Sequence, residues 1–167
     1  SSDLNEGYFY SVSDFLKKTK NTEIEKLYIN TLANLITVKS GYEEIIENLI
    51  GQGLQNIVTW SKKDTREIIN FVNKNKLGRI TFLPLDSIKQ NKKARVEEKE
   101  VIAMAYDLVS YDSKLENIIN HFLSNTIVVK NIDDAVSLSN KINGYRIISL
   151  NLDLINTWGS MVAGVNK

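Results

Sequence analysis

The sequence contains no cysteine and a single histidine, His121, among its 167 residues. The absence of thiols excludes disulfides and thiolate metal sites, which suits a reducing compartment such as the cytosol. His121 falls inside an amphipathic helical pattern, and no second histidine or cysteine can complete a metal site around it. We therefore expect His121 to be a packing or boundary residue, and we expect no metal and no cofactor.

The chain also lacks the motifs of common enzymes. It has no GxxxxGK[ST] phosphate loop, no GxGxxG after a strand and no GxSxG nucleophile elbow. Glu43, Glu44 and Glu47 fall on the solvent face of an amphipathic helix, as is typical of a charged helix surface. Asp86 and Asp153 recur at equivalent positions of an internal repeat, which is typical of turns or caps rather than of an acid–base pair. We predict no catalytic residues, and a small α/β enzyme is the less favoured alternative.

Long apolar runs are missing as well. No stretch of about 18 apolar residues is present, and no basic segment followed by an apolar one opens the chain, so we expect neither a membrane span nor a signal peptide. Hydrophobic residues make up 43% and charged residues 25% of the chain. This composition is typical of a soluble globular protein with one substantial core or two small ones.

The net charge of +1 conceals an uneven distribution. Residues 61–100 carry 11 Lys and Arg against 6 Asp and Glu, whereas the rest of the chain carries 10 against 14. This segregation indicates either a basic face for a polyanion or a solvated, lysine-rich linker with exposed helix faces. Both interpretations stay open. The candidate DNA contacts are Lys62, Lys63, Arg66, Lys92, Lys93 and Arg95.

An internal repeat gives the strongest indication of architecture. Three pairs of segments recur at offsets of 73, 70 and 67: 35–38 with 108–111, 57–58 with 127–128, and 79–88 with 146–155. The offsets decrease in order along the chain, as expected if loops are shorter in the second copy. The sequence therefore predicts two related units.

Each copy predicts the same series of elements. In the first copy a short segment (32–38) precedes an amphipathic helix (41–50), and a β run (54–60) follows. The second copy has its corresponding β run at 126–129. Before the repeat, residues 8–18 predict a helix that continues or restarts at 21–28.

A second helix in each copy is expected to begin at aspartate, at Asp64 and at Asp133–Asp134, because aspartate caps the unpaired N–H groups of a helix start. Ile68, Ile69 and Val72 form the apolar face of the first of these helices. The segments NKLG at 75–78 and NG at 143–144 are typical of the left-handed turns that end helices. The closing β runs are predicted at 79–83 and 145–150.

These patterns predict an α+β (mixed α/β) fold with two pseudo-symmetric lobes. The expected boundaries are an N-terminal helical flank (1–30), lobe 1 (31–89), a polar linker (90–100) and lobe 2 (101–167). The linker has no core-facing pattern, so we expect it to be at the surface or mobile.

Several motifs resemble the hinge domain of SMC (structural maintenance of chromosomes) proteins. GQGLQNIV at 51–58 and NKLGRITFLPL at 75–85 resemble its N-terminal half. Three further segments resemble other parts of it: EGY at 6–8 the last turn of the incoming coiled coil, AYDLV at 105–109 with NTIVV at 125–129 the second half, and GSMVAG at 159–164 the terminal glycine-pair motif. The similarity covers nearly the whole chain.

The resemblance implies the SMC hinge fold: a toroidal dimer in which a sheet edge of one lobe pairs with the opposite lobe of the partner. It implies the dimerisation hinge of a bacterial-type chromosome condensation and segregation ATPase, cytoplasmic and nucleoid-associated. The ATP-binding heads lie outside this segment, coiled-coil arms lead to them, and kleisin and accessory subunits bind other parts. Homodimerisation and weak, sequence-independent DNA contact are expected. The alternatives are the hinge of a heterodimeric SMC-like protein and a divergent hinge that dimerises weakly.

The resemblance also implies the interface residues, because glycines at junctions allow close backbone approach. They are Gly51, Gly53, Trp158, Gly159, Ser160, Met161, Ala163 and Gly164. The sequence departs from the family pattern at both terminal glycine pairs, which read Trp158–Gly159 and Ala163–Gly164. It also has Ser124 and the segment SLNLD at 149–153 where the family tends to have a glycine and TLDGD.

Overall fold

The computed structural model describes residues 2–89 and 92–164, with side chains described from Phe9 onward. The chain forms two compact units. The first unit contains Ser1–Ile36, Gln52–Lys89 and Asp112–Ile118, and the second contains Thr37–Gly51, Gln90–Tyr111 and Ile119–Lys167. The predicted lobes are contiguous, whereas these units exchange segments 37–51 and 112–118. A repeat identifies related segments, but it does not say which unit each segment packs in.

The helices are α1 (Ser2–Thr19), α2 (Leu32–Leu35), α3 (Glu43–Ile50), α4 (Lys62–Lys74), α5 (Glu116–Leu123) and α6 (Ile132–Ser139). The strands are β1 (Tyr28–Thr31), β2 (Ile36–Val38), β3 (Ile57–Thr59), β4 (Phe82–Pro84), β5 (Val101–Met104), β6 (Val109–Tyr111), β7 (Thr126–Val129), β8 (Arg146–Ser149), β9 (Leu154–Ile155) and β10 (Met161–Val162). The mixed helix and strand content confirms the predicted fold class. The β run predicted at 54–60 is shorter than expected, because Gly51–Gln55 forms a 3₁₀ turn.

The first unit is built on a three-stranded sheet in the order β1-β3-β4. Strand β1 is antiparallel to β3, and β3 is parallel to β4. Phe15 of α1 lies at the centre of the core, with its ring centroid 5.3 Å from that of Tyr28 and 5.7 Å from that of Phe82. The hydroxyls of Thr19 and Tyr28 are 2.6 Å apart, and burial raises the pKa of Tyr28.

Helix α4 begins after Ser61, whose Oγ accepts a hydrogen bond from the Asp64 amide at 3.0 Å. The prediction that Asp64 caps this helix is therefore wrong, because Asp64 lies in the first turn and Ser61 is the cap. Ile68 and Val72 are buried, as predicted, but Ile69 is exposed. Successive residues of an α-helix differ by about 100° around the axis, so Ile69 points away from the stripe that Ile68 shares with Val72. The predicted left-handed stop within 75–78 is confirmed at Lys76, which has a φ of +52° and whose amide donates to the Asn73 carbonyl at 3.3 Å.

The second unit has a five-stranded sheet in the order β10-β9-β8-β7-β5. Strands β7 and β8 are parallel, and the other neighbouring pairs are antiparallel. This unit also contains β6 and most of β2, which pair in a small separate sheet. Helix α6 is capped by Asn131, whose Oδ1 accepts from the Asp134 amide at 2.9 Å, so the predicted caps at Asp133–Asp134 are wrong.

Arg146 holds the exchanged helix α3 in the second unit. Its guanidinium donates to the Leu49 carbonyl in the last turn of α3 at 3.3 Å and to the Phe122 carbonyl in the last turn of α5 at 2.8 Å. Its Nε also donates to Thr126 Oγ1 at 3.0 Å. Burial lowers the pKa of Arg146. One side chain thus satisfies terminal carbonyls of two helices, one from each sequence copy.

The strand registers correct the alignment of the two copies. Ile57 pairs with Phe82 in the first unit, and Ile127 pairs with Ile147 in the second. Because Ile57 corresponds to Ile127, Phe82 corresponds to Ile147, which is an offset of 65 and not the predicted 67. A shift of two residues leaves each side chain on the same face of a strand, so the apolar pattern cannot reveal it.

Candidate functional site

The terminal segment 158–164 presents a row of apolar side chains at the edge of the second unit. Strand β10 pairs with β9 through Met161–Ile155 and Val162–Leu154. No described strand pairs with the opposite edge of β10. Trp158, Met161 and Val162 are 81%, 58% and 50% exposed. An exposed apolar edge of this kind is typical of a surface that binds another strand.

Gly159 closes the turn between β9 and β10. Its amide donates to the Asn156 carbonyl at 3.0 Å, and the Asn156 amide donates to the Ser160 carbonyl at 2.9 Å. Gly159 has a φ of +106°, and a Cβ added there would meet no atom within 4 Å. The position therefore needs glycine for its backbone conformation rather than for space within the chain.

Gly164 lies against the backbone of its own chain. A Cβ built on Gly164 would be 1.9 Å from the carbonyl carbon of Leu152, and the Gly164 amide donates to Asp153 Oδ1 at 3.1 Å. The close approach described at this glycine is therefore intramolecular. Ser160, Met161 and Ala163 lie in the same segment of the second unit, and Ala163 is exposed.

The two other predicted interface glycines, Gly51 and Gly53, belong to different units. Gly51 ends α3 in the second unit, with a φ of +61° and an amide that donates to the Glu47 carbonyl. Gly53 belongs to the first unit and lies in the 3₁₀ turn. Seven of the eight predicted interface residues are thus in the second unit, six of them in the terminal segment.

The six predicted DNA contacts form two groups. Lys62, Lys63 and Arg66 are exposed on the first turns of α4 in the first unit. Lys92, Lys93 and Arg95 are exposed in a segment of the second unit. All six belong to the same basic stretch of sequence, but the two groups lie on different elements.

The linker cations make contacts within the second unit. Arg95 lies 2.8 Å from Asp107 Oδ2, and this hydrogen bond raises the pKa of Arg95. Lys93 Nζ is 4.8 Å from the ring centroid of Tyr106 and 3.2 Å from Tyr111 Oη. Tyr106 Oη donates to the Ala94 carbonyl at 2.7 Å. Residues 92–99 of the linker are therefore at the surface, as predicted, and these contacts attach them there.

Glu100 fixes the end of the linker on α6, a role that its place in a charged run does not reveal. Its buried carboxylate is 2.7 Å from Lys141 Nζ and accepts from Ser137 Oγ at 2.6 Å. The hydrogen bond from Lys141, and then the one from Ser137, lower the pKa of Glu100 to about 2. The same contact raises the pKa of Lys141.

Two pockets adjoin β4 in the first unit. The pocket at the end of β4, of about 250 Å³, is lined by Lys62, Thr65, Arg66, Ile69, Asn70 and Pro84. The pocket at its start, of about 440 Å³, includes Ile69, Gly78, Arg79, Ile80 and Phe82. The two pockets thus include opposite ends of β4 and share the exposed Ile69.

The titratable residues considered as catalytic candidates lie at the surface or in structural contacts. Glu43, Glu44, Glu47 and His121 are exposed. Asp86 accepts a hydrogen bond from the Lys62 amide at 2.8 Å, which is a helix-start contact. Across residues 2–89 and 92–164, no group of three His, Cys, Asp or Glu residues is arranged to hold a metal ion. The same residues contain no helix with both the length and the apolar character needed to cross a membrane.

Comparison with known sequences places the chain in a family. Residues 25–139 match the model of the SMC proteins flexible hinge domain. The chromosome partition protein Smc of Methanocaldococcus jannaschii is 37% identical over 139 residues, which cover 83% of this chain and 12% of the relative. The Smc protein of Desulfitobacterium hafniense is 32% identical over 166 residues, which cover 95% of this chain and 14% of the relative.

Solved structures agree with this family assignment. The SMC hinge domain of Geobacillus stearothermophilus, described as an asymmetric dimer, aligns with a TM-score of 0.82 at 28% identity over 95% of this chain and 66% of that one. The hinge domain of Pyrococcus furiosus SMC aligns with a TM-score of 0.72 at 26% identity over 96% of this chain and 88% of that one. Fold and sequence together define a hinge of the SMC class, and the chain belongs to the SMC flexible hinge domain family. It spans only 12% to 14% of the length of the two Smc relatives.

Proposed function

We propose that this chain is the homodimerisation hinge of an SMC ATPase that acts in chromosome condensation and segregation in the cytoplasm, at the nucleoid. In this proposal its two coiled-coil arms, its ATP-binding heads and the sites for kleisin and accessory subunits belong to other parts of a longer protein. The chain itself supplies the contact between two copies and no catalysis. The observation that carries the proposal is a pair of edge strands with no described strand on their outer side, β4 in the first unit and β10 in the second.

The other two edges are less suited to pairing. Strands β1 and β5, at the far sides of the two sheets, each contain a register irregularity, between Tyr28 and Asn30 and between Val101 and Ala103. Bulges of this kind discourage edge-to-edge association. The pairings of β4 with β3 and of β10 with β9 are regular. Strand β10 also exposes two adjacent large apolar side chains.

The second unit supplies a template for the direction of pairing. Strand β4 corresponds to β8 by register, and β8 has β9 antiparallel beside it. Among the described strands of the first unit, none occupies the corresponding position beside β4. We propose that β10 of the partner fills it in the antiparallel direction. Two such junctions, related by a two-fold axis, give a closed dimer.

Sedimentation of the chain tests the proposal. We expect a mass of twice 19.0 kDa at micromolar concentration. Met161→Arg combined with Val162→Lys places two charges on the proposed edge and should give a monomer. The matched control is Ile102→Lys on β5, where the native side chain is 42% exposed. A wild-type chain that stays monomeric up to about 100 μM limits the association free energy to weaker than about 5.5 kcal/mol and rejects the homodimer.

The alternative of a heterodimeric or weakly dimerising hinge is tested in the same instrument. A second SMC hinge from the same organism, mixed at equal concentration, should leave the homodimer in place. If the mixture converts fully to the mixed dimer, the heterodimer is the correct assignment.

DNA contact is a second candidate function, favoured by the exposed Lys62, Lys63 and Arg66 on α4. Lys62 and Arg66 also line the pocket at the end of β4, so a partner contact there competes with DNA for these two cations, whereas Lys63 does not line that pocket. We expect weak, sequence-independent binding whose affinity falls steeply with salt. Replacing these three residues by Glu should weaken binding more than replacing Lys92, Lys93 and Arg95 by Glu, because Lys93 and Arg95 already contact Tyr106 and Asp107. Equal binding by wild type and both variants across a salt series rejects DNA contact through these residues.

A further inference from the structure

Trp158 is the most exposed large hydrophobic side chain among the described residues, at 81%. We infer that Trp158 of one copy inserts into the pocket formed by Lys62, Arg66, Ile69 and Pro84 of a second copy, with the two cations beside the indole. This inference rests on the proposed homodimer and adds to it a specific anchor. The occupant is a side chain of this chain itself.

The pocket has the chemistry that an indole requires. Ile69 and Pro84 supply apolar surface, and Lys62 and Arg66 place two cations on the lining. Tryptophan is the best aromatic partner for a cation, because its face carries the most negative potential. The first unit already contains one such pair, with Lys114 Nζ 5.2 Å from the ring centroid of Trp60.

The size of the pocket favours a single side chain over a free ligand. Its volume of about 250 Å³ is smaller than that of most small-molecule sites, which occupy about 300–1,000 Å³. Tryptophan is also among the side chains that most often dominate the binding energy of an interface. A pocket of this size at a proposed interface therefore fits an anchoring residue.

The direction of strand pairing brings Trp158 to this pocket. If β10 of one copy runs antiparallel to β4 of the other, the start of β10 lies beside the end of β4, at Pro84. Trp158 precedes Met161 by three residues, a reach of at most about 10 Å at 3.3 Å per residue. Parallel pairing would direct Trp158 to the opposite pocket, which includes Gly78, Arg79 and Phe82. The two directions therefore predict different contacts.

Fluorescence of the intact chain tests the burial of Trp158. The sequence has two tryptophans, so Trp60→Phe leaves Trp158 as the only indole emitter. We expect its emission to shift to shorter wavelength, and its quenching by acrylamide to fall, in step with the dimer fraction measured by sedimentation at the same concentrations. An exposed, freely quenched Trp158 in a sedimenting dimer overturns the inference while leaving the homodimer intact. A chain that never dimerises rejects both.

A double-mutant cycle tests the partner residues without fluorescence. Trp158→Ala should raise the dissociation constant of the dimer about tenfold or more. Lys62→Gln with Arg66→Gln should raise it about three- to tenfold, because one or two cation–π contacts are lost. Lys63→Gln is the matched control, since Lys63 is exposed on the same helix but does not line the pocket.

The variant that combines Trp158→Ala with Lys62→Gln and Arg66→Gln decides whether the indole contacts these two cations. If Trp158 contacts Lys62 and Arg66 of the partner, the two glutamine substitutions have no further effect in the Trp158→Ala background. Fully additive effects overturn the inference, because the cations then act on something other than the indole. Coupling of Trp158 to Arg79 instead of Arg66, measured in the same way, also overturns it and indicates parallel pairing. Thermal melts of each variant identify any loss of folding.

Discussion

At the scale of single residues, Gly159 and Gly164 show that one residue type meets two different needs in the terminal segment. Gly159 requires a positive φ in an open turn, whereas Gly164 requires space beside the Leu152 backbone. The resemblance to the family attributes both glycines to the dimer junction. The structure gives each an additional reason within the chain, so substitutions at the two positions are expected to differ.

We expect Gly164→Ala to lower the stability of the second unit as well as the dimer affinity, because the added methyl would overlap the backbone of Leu152. Gly159→Ala should cost about 1–3 kcal/mol, because its φ of +106° lies in a backbone region that residues with a Cβ rarely adopt. Thermal melts beside sedimentation separate the two effects, with Ala163→Ser, at an exposed position, as the control for the melts. Equal melting temperatures for Gly164→Ala and wild type would contradict the close approach.

Glu100 predicts a defined dependence on pH. Its pKa is about 2 in the folded chain, below the ordinary value of about 4.3 for glutamate. Its charged contacts with Lys141 therefore stabilise the fold fully above pH 4.3 or so, and this contribution is lost as the pH falls towards 2.

Glu100→Gln should lower stability at pH 7, and its difference from wild type should shrink between about pH 4 and pH 2. Urea unfolding at a series of pH values measures this difference. Glu44→Gln, on the exposed face of α3 in the same unit, is the control and should show little effect. A difference between Glu100→Gln and wild type that does not change with pH would show that the carboxylate charge is not responsible.

At the scale of elements, the two helices α4 and α6 begin in the same way, with a side-chain oxygen that accepts from an amide three residues later. Their caps, Ser61 and Asn131, therefore align, and the buried Thr65 then corresponds to the buried Ala135. In this alignment Lys62 and Arg66 on α4 correspond to Ile132 and Val136 on α6, which are exposed. The two copies conserve their buried faces and differ in their outward chemistry.

Ser61→Ala should destabilise the first unit by about 1 kcal/mol, because an amide at the start of α4 loses its partner. Asp64→Asn removes a favourable charge from the first turn and should cost less, about 0.3–1 kcal/mol. Denaturant unfolding of both variants and wild type measures the loss of unfolding free energy that each substitution causes. The opposite ranking would mean that Asp64 carries the capping role after all.

At the scale of the whole molecule, each unit is assembled from both sequence copies. Segment 37–51 contributes α3 to the second unit, and segment 112–118 belongs to the first. The hydrogen bonds from Arg146 to the last turns of α3 and α5 show how this exchange is stabilised in the second unit. Neither copy alone supplies all the segments of a unit.

Dividing the chain within the linker tests this assembly. Fragments 1–89 and 92–167 should each lack the cooperative unfolding transition of the whole chain, because each unit then misses a segment. Mixing the fragments should restore the transition, which circular dichroism during heating can follow. Fragments divided after residue 51, at the end of the exchanged segment 37–51, provide a comparison. A fragment 92–167 that unfolds cooperatively alone would show that α3 is dispensable.

Much of the candidate site follows from local sequence patterns. The motifs at 51–58 and 75–85 predict the family, and the motif at 159–164 predicts an interface in the terminal segment, where Trp158, Met161 and Val162 are exposed. Helix α3, strand β7 and the left-handed stop at Lys76 lie where the pattern predicts them, with small differences in their ends. These features depend on residues within one or two turns of each other, so the sequence expresses them directly.

The sequence by itself determined the family, the presence of two copies and the order of their elements, because periodicity, turn residues and motifs are local. Only the tertiary structure decided the exchange of segments, the strand register, the attachment of Lys93 and Arg95, and the proximity of Gly164 to Leu152. Each of these depends on which distant surfaces fit together. A register shift of two residues preserves the alternation of strand faces, and an exchanged helix presents the same apolar stripe to either unit, so the pattern cannot distinguish them.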